Sequence, residues 1–502
     1  EEAYRALRAA CEEGAARRYG PAWRSRADLT ARLTKELRII AAKGFSSYFL
    51  VVRDIVALCP RTCGRGSAAS SVVSYLLFLT HVEPLAHDLF FERFLNEGRT
   101  DPPDIDIDFP WDERPGVLAR VFEAYRGSAA MVADHCRFSG ASRVREAALA
   151  LGMGLDDVDE AVARWRRGDE EGLPEALRRA AGLLKGLPRY LGTHPGGVVV
   201  VPGPMHDYAP TQPGLAGHPV LAWEKDGTER AGLVKIDLLG NRSLAVLRDC
   251  IELCSREENP EPGSDSWERF NPVDEPAARA LIESGATVGV FYIESPATRQ
   301  LLAKMRTADY GHLVAASSII RPAANRYINE YVRRLRGEPW RRLPESVEDC
   351  LKETYGIMVY QEDVSRVAMA AAGFSAPEAD GLRKTLSKKR GAAKLAAYRE
   401  RLVAGCAERG VDQADAQEIW DMMLSFDGYS FCKAHSASYA LVSYRLAWMK
   451  ARRPGYFIAS VINNGGGFYG TQAYLDEARR LGFPLLPPHV NRSGSGYLLE
   501  PP

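Results

Sequence analysis

The sequence has no excess charge of either sign: 65 Lys and Arg residues are matched by 65 Asp and Glu. Global charge therefore selects no partner, and any surface for nucleic acid must be built locally. No apolar run approaches the roughly 18 residues that signal a membrane span, and the opening EEAYRALRAACEEG is acidic and helical rather than a signal peptide. No membrane partner is expected, and a soluble chain in the cytoplasm is. The nine cysteines are scattered, and Cys59/Cys63 and Cys250/Cys254 lack CxxC zinc spacing, so reduced, mostly buried thiols are expected. There is no internal repeat and no low-complexity tract. Neither a Walker A lysine nor a GxGxxG fingerprint is present. An initiator Met is missing too, and the text stops at SGSGYLLEPP, which predicts a piece of a longer protein.

What is there is long and apolar enough for large cores: 502 residues, 46% hydrophobic, and a length that predicts two to four domains. Residues 1 to 58 read as amphipathic helices. CGRGSAASSVVSYLLFL, from Cys63, reads as a glycine- and serine-rich turn opening a buried helix. From about Ser142 to Leu187 the text is helical and rich in Ala, Leu and Arg, like a small insertion. Strands are predicted at Gly196 to Gly203 and Arg230 to Asn241, and helices from there to about residue 480, with loops at Glu257 to Ser266 and Arg336 to Pro344.

One stretch stands out. DPPDIDIDFP alternates Asp104, Asp106 and Asp108 with Ile105, Ile107 and Phe109, the two-residue period of a strand. Asp is a poor strand former. Same-face carboxylates would lie roughly 7 Å apart and repel by about 2 kcal/mol per pair at an effective dielectric near 20. A divalent cation would reverse that sign, since hard oxygen ligands are what Mg²⁺ accepts; a solvated edge strand charged against aggregation is the alternative. In GLVKIDLLG, Lys235 and Asp237 share a strand face, either as an ion pair or as part of a site. With Asp104 and Asp106, Asp237 would complete a cage for two Mg²⁺ ions suited to phosphoryl transfer.

Cations cluster as well. In GRGSAASS, Gly64 and Gly66 would let the backbone approach a ligand, with phosphate oxygens held by Arg65, Ser67 and amides at the next helix start; an ordinary helix-entry turn is the alternative. Arg93 lies shortly before the aspartates. GLRKTLSKKRG holds Arg383, Lys384, Lys388, Lys389 and Arg390 with no acid inside it, a density that suits a triphosphate or a nucleic-acid backbone. Lys433 and His435 open a long apolar helix.

Together these segments resemble the α subunit of bacterial DNA polymerase III, the C-family polymerases. KGFSSYFLVVRDIV, GRGSAASSVVSYLL, FFERFLN, PDIDIDF, HPGGVVV, GLVKIDLLG, GVFYIES, IIRP, YGIMVYQEDV, LRKTLSKKR, GYSFCKAHSASYALVSY and LPPHVNRSG occur in order along almost the whole chain. The resemblance implies a multidomain, mostly helical α/β fold: a polymerase-beta-like nucleotidyltransferase palm (1–132 and 190–240), an inserted helical thumb (133–189) and large helical fingers (241–502). It implies metal-binding catalytic roles for Asp104, Asp106 and Asp237, with two Mg²⁺ ions, and leaves Asp108 outside the three. It implies nucleotide contacts at Gly66, Ser67 and Lys235, with Arg65 and Arg93 close by, and at Arg383, Lys384, Tyr429, Lys433 and His435. The implied partners are primer-template DNA, a dNTP, and a sliding clamp with other replication or repair proteins in the full-length family member, in a bacterial cytoplasm at the nucleoid.

The departures are informative. The family's PHP domain, clamp-binding region and OB-fold are not seen, and no histidine-rich metal motif precedes residue 60. LLGNRS after the third aspartate and PWDER after the aspartate strand look more similar to the accessory, error-prone branch. Lys384 stands where an arginine is common, which keeps the charge and loses the bidentate fork. A template-directed DNA polymerase core is the expected function; a template-independent nucleotidyltransferase and a non-catalytic or truncated DNA-binding paralogue acting as an assembly factor are the alternatives.

Overall fold

The computed structural model describes residues 1–99, 102–321, 325–387, 392–426 and 431–500. Tyr429, Lys388, Lys389 and Arg390 lie outside them. Among the described residues the strands are β1 (Cys63–Arg65), β2 (Ile105–Pro110), β3 (Ala129–Arg137), β4 (Pro188–Val200), β5 (Thr211–Pro213), β6 (Pro219–Leu221) and β7 (Lys235–Asn241). The chain divides into two compact units, Glu1–Arg120 with Ile236–Pro502, and Val121–Lys235. The mostly helical α/β composition is as the sequence implies.

In the first unit the helices Glu2–Tyr19, Ala27–Ala42 and Ser46–Ala57 lead into β1. The second of them buries Leu29, Leu33, Glu36, Leu37 and Ile40, a one-faced helical stripe with a single carboxylate in it. β1 runs antiparallel to β2, and β2 runs parallel to β7. Ile105, Ile107 and Phe109 of β2 and Ile236 and Leu238 of β7 are buried, so the apolar half of each alternation packs inward. Asn241 ends β7 and caps the helix Arg242–Cys254, its Oδ1 accepting from the amides of Ser243 and Leu244. Helices then continue to Arg480. The helix Lys433–Arg452 is buried nearly all round, as the central post of a core must be; Phe270 meets its Trp448 edge to face at 5.1 Å. A second core gathers Val347, Val367, Leu382, Leu402, Ile419 and Trp420.

In the second unit β3 pairs with β4 antiparallel and with β6 parallel, and β6 pairs with β5. The helices Gly140–Ala150, Leu155–Arg166 and Glu175–Leu184 form their own small core around Val144, Val158, Val162 and Leu177. β3 has no counterpart in the sequence reading. Its first five residues, AAMVA, are all buried, and a strand covered on both faces shows no alternation.

The nine cysteines are free thiols, and all but Cys136 and Cys350 are buried. Among the described residues no helix is long and apolar enough to cross a membrane.

Candidate active site

Strand register assembles the acidic cluster. Asp106 of β2 stands directly opposite Asp237 of β7 on one side and Arg65 of β1 on the other. Asp104 precedes the strand by one residue. One carboxylate oxygen from each of Asp104, Asp106 and Asp237 lies within 4.8 Å of the others, a group able to hold a metal ion. At that spacing three ionised carboxylates would repel by about 3 kcal/mol per pair at an effective dielectric near 20. Three hard oxygen donors, two on paired strands and one just before β2, fit a divalent cation. Tyr48, from the helix Ser46–Ala57, is buried beside them. Burial first, then the charge of Asp104, with lesser contributions from Asp106 and Asp237, holds its phenol well above the usual range.

Asp108 shares the face and does something else. Arg65 Nε donates to its Oδ1 at 3.0 Å, and Asn241 Nδ2 and Tyr439 Oη donate to its Oδ2 at 2.9 and 2.8 Å. It is a buried hub joining β1, the end of β7 and the helix Lys433–Arg452. Burial alone would lower the Arg65 pKa, but Asp108, followed by Tyr439 and Asp106, outweighs it and raises it. A cleft of about 630 Å³ opens here, lined among others by Arg65, Asp108, Asn241, Tyr292, Tyr439 and Phe468.

The glycine-rich turn differs in part from expectation. Gly66 has φ 71°, and a Cβ there would come within 3.3 Å of Asp106 Oδ2, so this glycine does allow the backbone to approach the carboxylates. At Gly64 a Cβ would strike the Leu79 carbonyl oxygen at 2.0 Å, so that glycine serves internal packing instead of ligand approach. Ser67 lies in the 3₁₀ turn Gly66–Ser70. The amides at the start of the helix Val72–Leu76, expected to hold phosphate, are taken: Val72 and Val73 donate to Glu36, as does Ser71 Oγ. Burial raises the Glu36 pKa and its Arg32 partner opposes this.

Arg93 and Arg383 meet at one acceptor, Gln361 Oε1; Arg93 Nε lies 3.2 Å from it and Arg383 Nη1 3.3 Å. Burial, then the neighbouring Arg93 charge, lowers the Arg383 pKa. The basic helix has a balancing acid after all. Asp380, just before the quoted segment, accepts from Arg383 Nη2 at 2.7 Å and lies 3.3 Å from Lys384 Nζ. Lys433 Nζ donates to Glu353 at 2.5 Å. His435 stacks on Phe431 at 5.2 Å and lies 4.5 Å from the Tyr439 ring. Burial, then Arg65 and Arg93, pushes its pKa down to about 3, so it is a neutral aromatic surface. Lys235, the last residue of the second unit, has its stem over Gly197, where a Cβ would come within 3.0 Å of Lys235 Cδ. His194 Nδ1 accepts from the amides of Gly196 and Gly197, which fixes that glycine turn.

Residues 5–240 match the family described as "Bacterial DNA polymerase III alpha NTPase domain", and residues 243–410 match "Bacterial DNA polymerase III alpha subunit finger domain". The chain belongs to the bacterial DNA polymerase III α family. Within that family it is similar to proteins named error-prone DNA polymerase. The one from Nocardia farcinica is 38% identical over 98% of this chain and 44% of its own length; that from Anaeromyxobacter dehalogenans (strain 2CP-C) is 35% identical over 98% and 46%. The one from Pseudomonas fluorescens is 35% identical over 99% and 50%. The chain spans about half the length of these relatives. The α-family resemblance and its error-prone branch, both expected from the motifs, are thereby borne out.

Several residues of this candidate site have no counterpart in the sequence reading. Tyr439 sits one helical turn beyond His435, a spacing that puts both on one face, yet it was read as part of an apolar helix. Asn241 carried the signal of a polar cap before a helix. Tyr48, Gln361 and Asp380 had no local signature, because their roles come from tertiary neighbours.

Proposed function

We propose that this chain is the catalytic core of a template-directed DNA polymerase, adding dNMP to a primer 3′ end and releasing pyrophosphate. The observation that carries the reading is the convergence within 4.8 Å of Asp104, just before β2, with Asp106 and Asp237, which stand opposite each other on paired strands of a polymerase III α chain. Residues 1–132 and 190–240 would form a polymerase-beta-like nucleotidyltransferase palm, 133–189 the thumb and 241–502 the fingers. The separate core of the helices between Gly140 and Leu184 supports the thumb as an insertion.

Asp104, Asp106 and Asp237 would hold two Mg²⁺ ions, which when bound promote attack by the primer hydroxyl and neutralise charge on the departing pyrophosphate. The chain's own residues do the rest. Arg65, Gly66 and Ser67 offer a cation and a close backbone to the triphosphate, with Lys235 two residues before Asp237 on the same strand. Arg93, Arg383 and Lys384 supply further positive charge. Gln361 and Asp380 pre-orient the two arginines, which reduces the ordering cost of binding. His435 contributes an aromatic face, and Lys433 reaches a phosphate only by leaving Glu353. Tyr429 belongs to the same proposed set. Primer-template DNA, dNTPs and, through the longer protein, a sliding clamp and repair factors are the proposed partners, in the bacterial cytoplasm at the nucleoid.

Single-nucleotide extension of a labelled primer-template with each dNTP and Mg²⁺ tests this. Incorporation of the complementary nucleotide, lost in Asp106→Asn, is expected. Incorporation without regard to the template base, or undiminished in the variant, overturns it.

A further inference from the structure

The cleft of about 630 Å³ beside Asp108 lies wholly within the first unit, and the nucleotide contacts proposed above use only its Arg65. Its volume falls in the roughly 300–1,000 Å³ range of small-molecule and cofactor sites. Four aromatic side chains line it: Phe291, Tyr292, Tyr439 and Phe468. Three of them form a packed wall. The Tyr439 ring meets Phe291 at 4.7 Å and Tyr292 at 5.0 Å, both edge to face. His435, proposed to face the incoming nucleotide, is 6.0 Å from the Tyr292 ring.

Phe468 is different: it is 63% exposed, yet its backbone is anchored. Its amide donates to Glu294, a buried carboxylate, at 2.6 Å. The amides on either side, of Gly467 and Tyr469, donate to Tyr474 Oη, and that hydroxyl donates to Glu294. Gly465 and Gly466, at φ 81° and 70°, make the left-handed turn that leads there. An open phenyl ring on a fixed mount, at a cleft with three more aromatic rings in its wall, is a platform for stacking.

Charge says which end of a nucleotide suits the cleft. Arg65 and Arg242 line it together with Asp108 and Glu294, two cations against two carboxylates. A balanced wall does not select a triphosphate, and the proposed triphosphate contacts Gly66, Ser67, Arg93 and Arg383 are not among its residues. Its polar groups are committed within the chain. Tyr439 Oη and Asn241 Nδ2 donate to Asp108, Ser295 Oγ bonds Thr298 Oγ1, and Glu294 holds the mount. A base here is held by its face and not read by its edge, which suits a strand whose sequence is free to vary.

Building on the polymerase reading, we propose that this cleft holds an unpaired base of the template strand beside the nascent pair, stacked on Phe468 against the wall of Tyr292 and Tyr439. Asp108, in the same wall, is two residues along β2 from Asp106, so the guest lies next to the acidic cluster. Phe468 and Tyr292 are then binding residues for template and not for the incoming dNTP.

Photocross-linking tests the occupant. 5-Iodouracil is placed at the first or second unpaired template position of a primer-template, or supplied as 5-iodo-dUTP opposite adenine, and the cross-linked peptide is mapped by mass spectrometry. A cross-link from an unpaired template base to Phe468 or Tyr292, with none from the incoming nucleotide, is the expected result. No cross-link from the template, or one from the incoming nucleotide instead, overturns the proposal. The second measurement is the affinity, by fluorescence anisotropy, for two DNAs that differ only in whether the template extends past the primer 3′ end. Phe468→Ala should weaken binding of the overhanging DNA roughly tenfold, the scale of one lost base-aromatic stack. It should leave binding of the flush-ended DNA unchanged, and Phe468→Trp should restore the overhanging one. Equal losses on both DNAs, or none, overturn the proposal. Neither measurement needs turnover. A wild type that incorporates nucleotide but shows neither the cross-link nor the overhang-dependent loss refutes this use of the cleft and leaves the polymerase reading standing; one that shows both without incorporation retains the cleft and counts against the catalytic reading alone.

Discussion

Asp106 and Asp108 are two residues apart on one strand face, and their surroundings make them opposites. Asp106 is gathered with Asp104 and Asp237, so negative charge is concentrated around it. Asp108 is ringed by Arg65, Asn241 and Tyr439, so its charge is matched by one cation and two neutral donors. The alternation that places both on one face carries no information about which will do which. The neighbouring strands decide it: β7 offers Asp237 opposite Asp106 and Leu239 opposite Asp108. An acidic cluster and a structural hub can thus share a motif, and the difference is whether a carboxylate is gathered with other carboxylates or ringed by donors.

The largest effect should separate the two by activity. Asp106→Asn is expected to lower nucleotide incorporation by roughly a thousandfold or more, the scale of several kcal/mol of lost metal stabilisation. Without metal, the same variant removes repulsion from Asp104 and Asp237 together with attraction from Arg65, and a higher denaturant midpoint than wild type is expected where the repulsion is the larger. A lower midpoint in EDTA would show that Asp106 is held by the protein as Asp108 is.

Asp108→Asn should do the reverse. It removes the ion-pair partner of the Arg65 guanidinium, itself mostly buried, at a cost of about 3 kcal/mol in equilibrium unfolding. Catalysis per folded molecule should fall far less than in Asp106→Asn. Urea unfolding followed by circular dichroism, with activity normalised to folded protein, gives both numbers; an unchanged midpoint would remove Asp108 from its role as a hub.

How much of this was legible follows the same division. The β2 alternation and the helical text between about Ser142 and Leu187 were readable because their periodicity is local. β3 was not, because burial on both faces erases its period. The basic residues Arg383 and Lys384 were readable, but Asp380, one turn earlier, lay just outside the segment and its pairing was missed. The glycine-rich turn was half readable: its shape was expected, while Glu36, an isolated carboxylate in an apolar stripe some thirty residues upstream, gave no hint that it would occupy the helix amides. Side chains that orient other side chains have no spacing rule to betray them.

Gly66 tests how close the turn must come to the acidic side of the comparison. With φ 71° and Asp106 Oδ2 3.3 Å from a virtual Cβ, Gly66→Ala should cost about 1 kcal/mol of stability from the left-handed backbone. It should also raise the KM for nucleotide more than it lowers kcat, since the turn is proposed to bind and not to react. A variant with unchanged KM would detach the turn from the nucleotide.

The smallest effect concerns the aromatic neighbour of the hub. Burial, then Arg65 and Arg93, holds His435 down to about 3 against an ordinary value of 6.5. Its folded-state pKa is depressed, so the native state prefers the neutral ring. Its stabilising contribution is complete above the unfolded value, and is lost as pH falls from about 6.5 towards 3. Between about pH 8 and pH 6 the loss is just under 1 kcal/mol, and it steepens below that. His81, likewise pushed down to about 3 by burial and then by Arg18 and Arg445, adds a parallel slope, so the informative quantity is a difference. His435→Phe, which keeps a ring against Phe431 and Tyr439, should remove its own proton from the pH dependence of unfolding and leave that of His81. Identical slopes in wild type and variant would mean that His435 is solvated in the native protein.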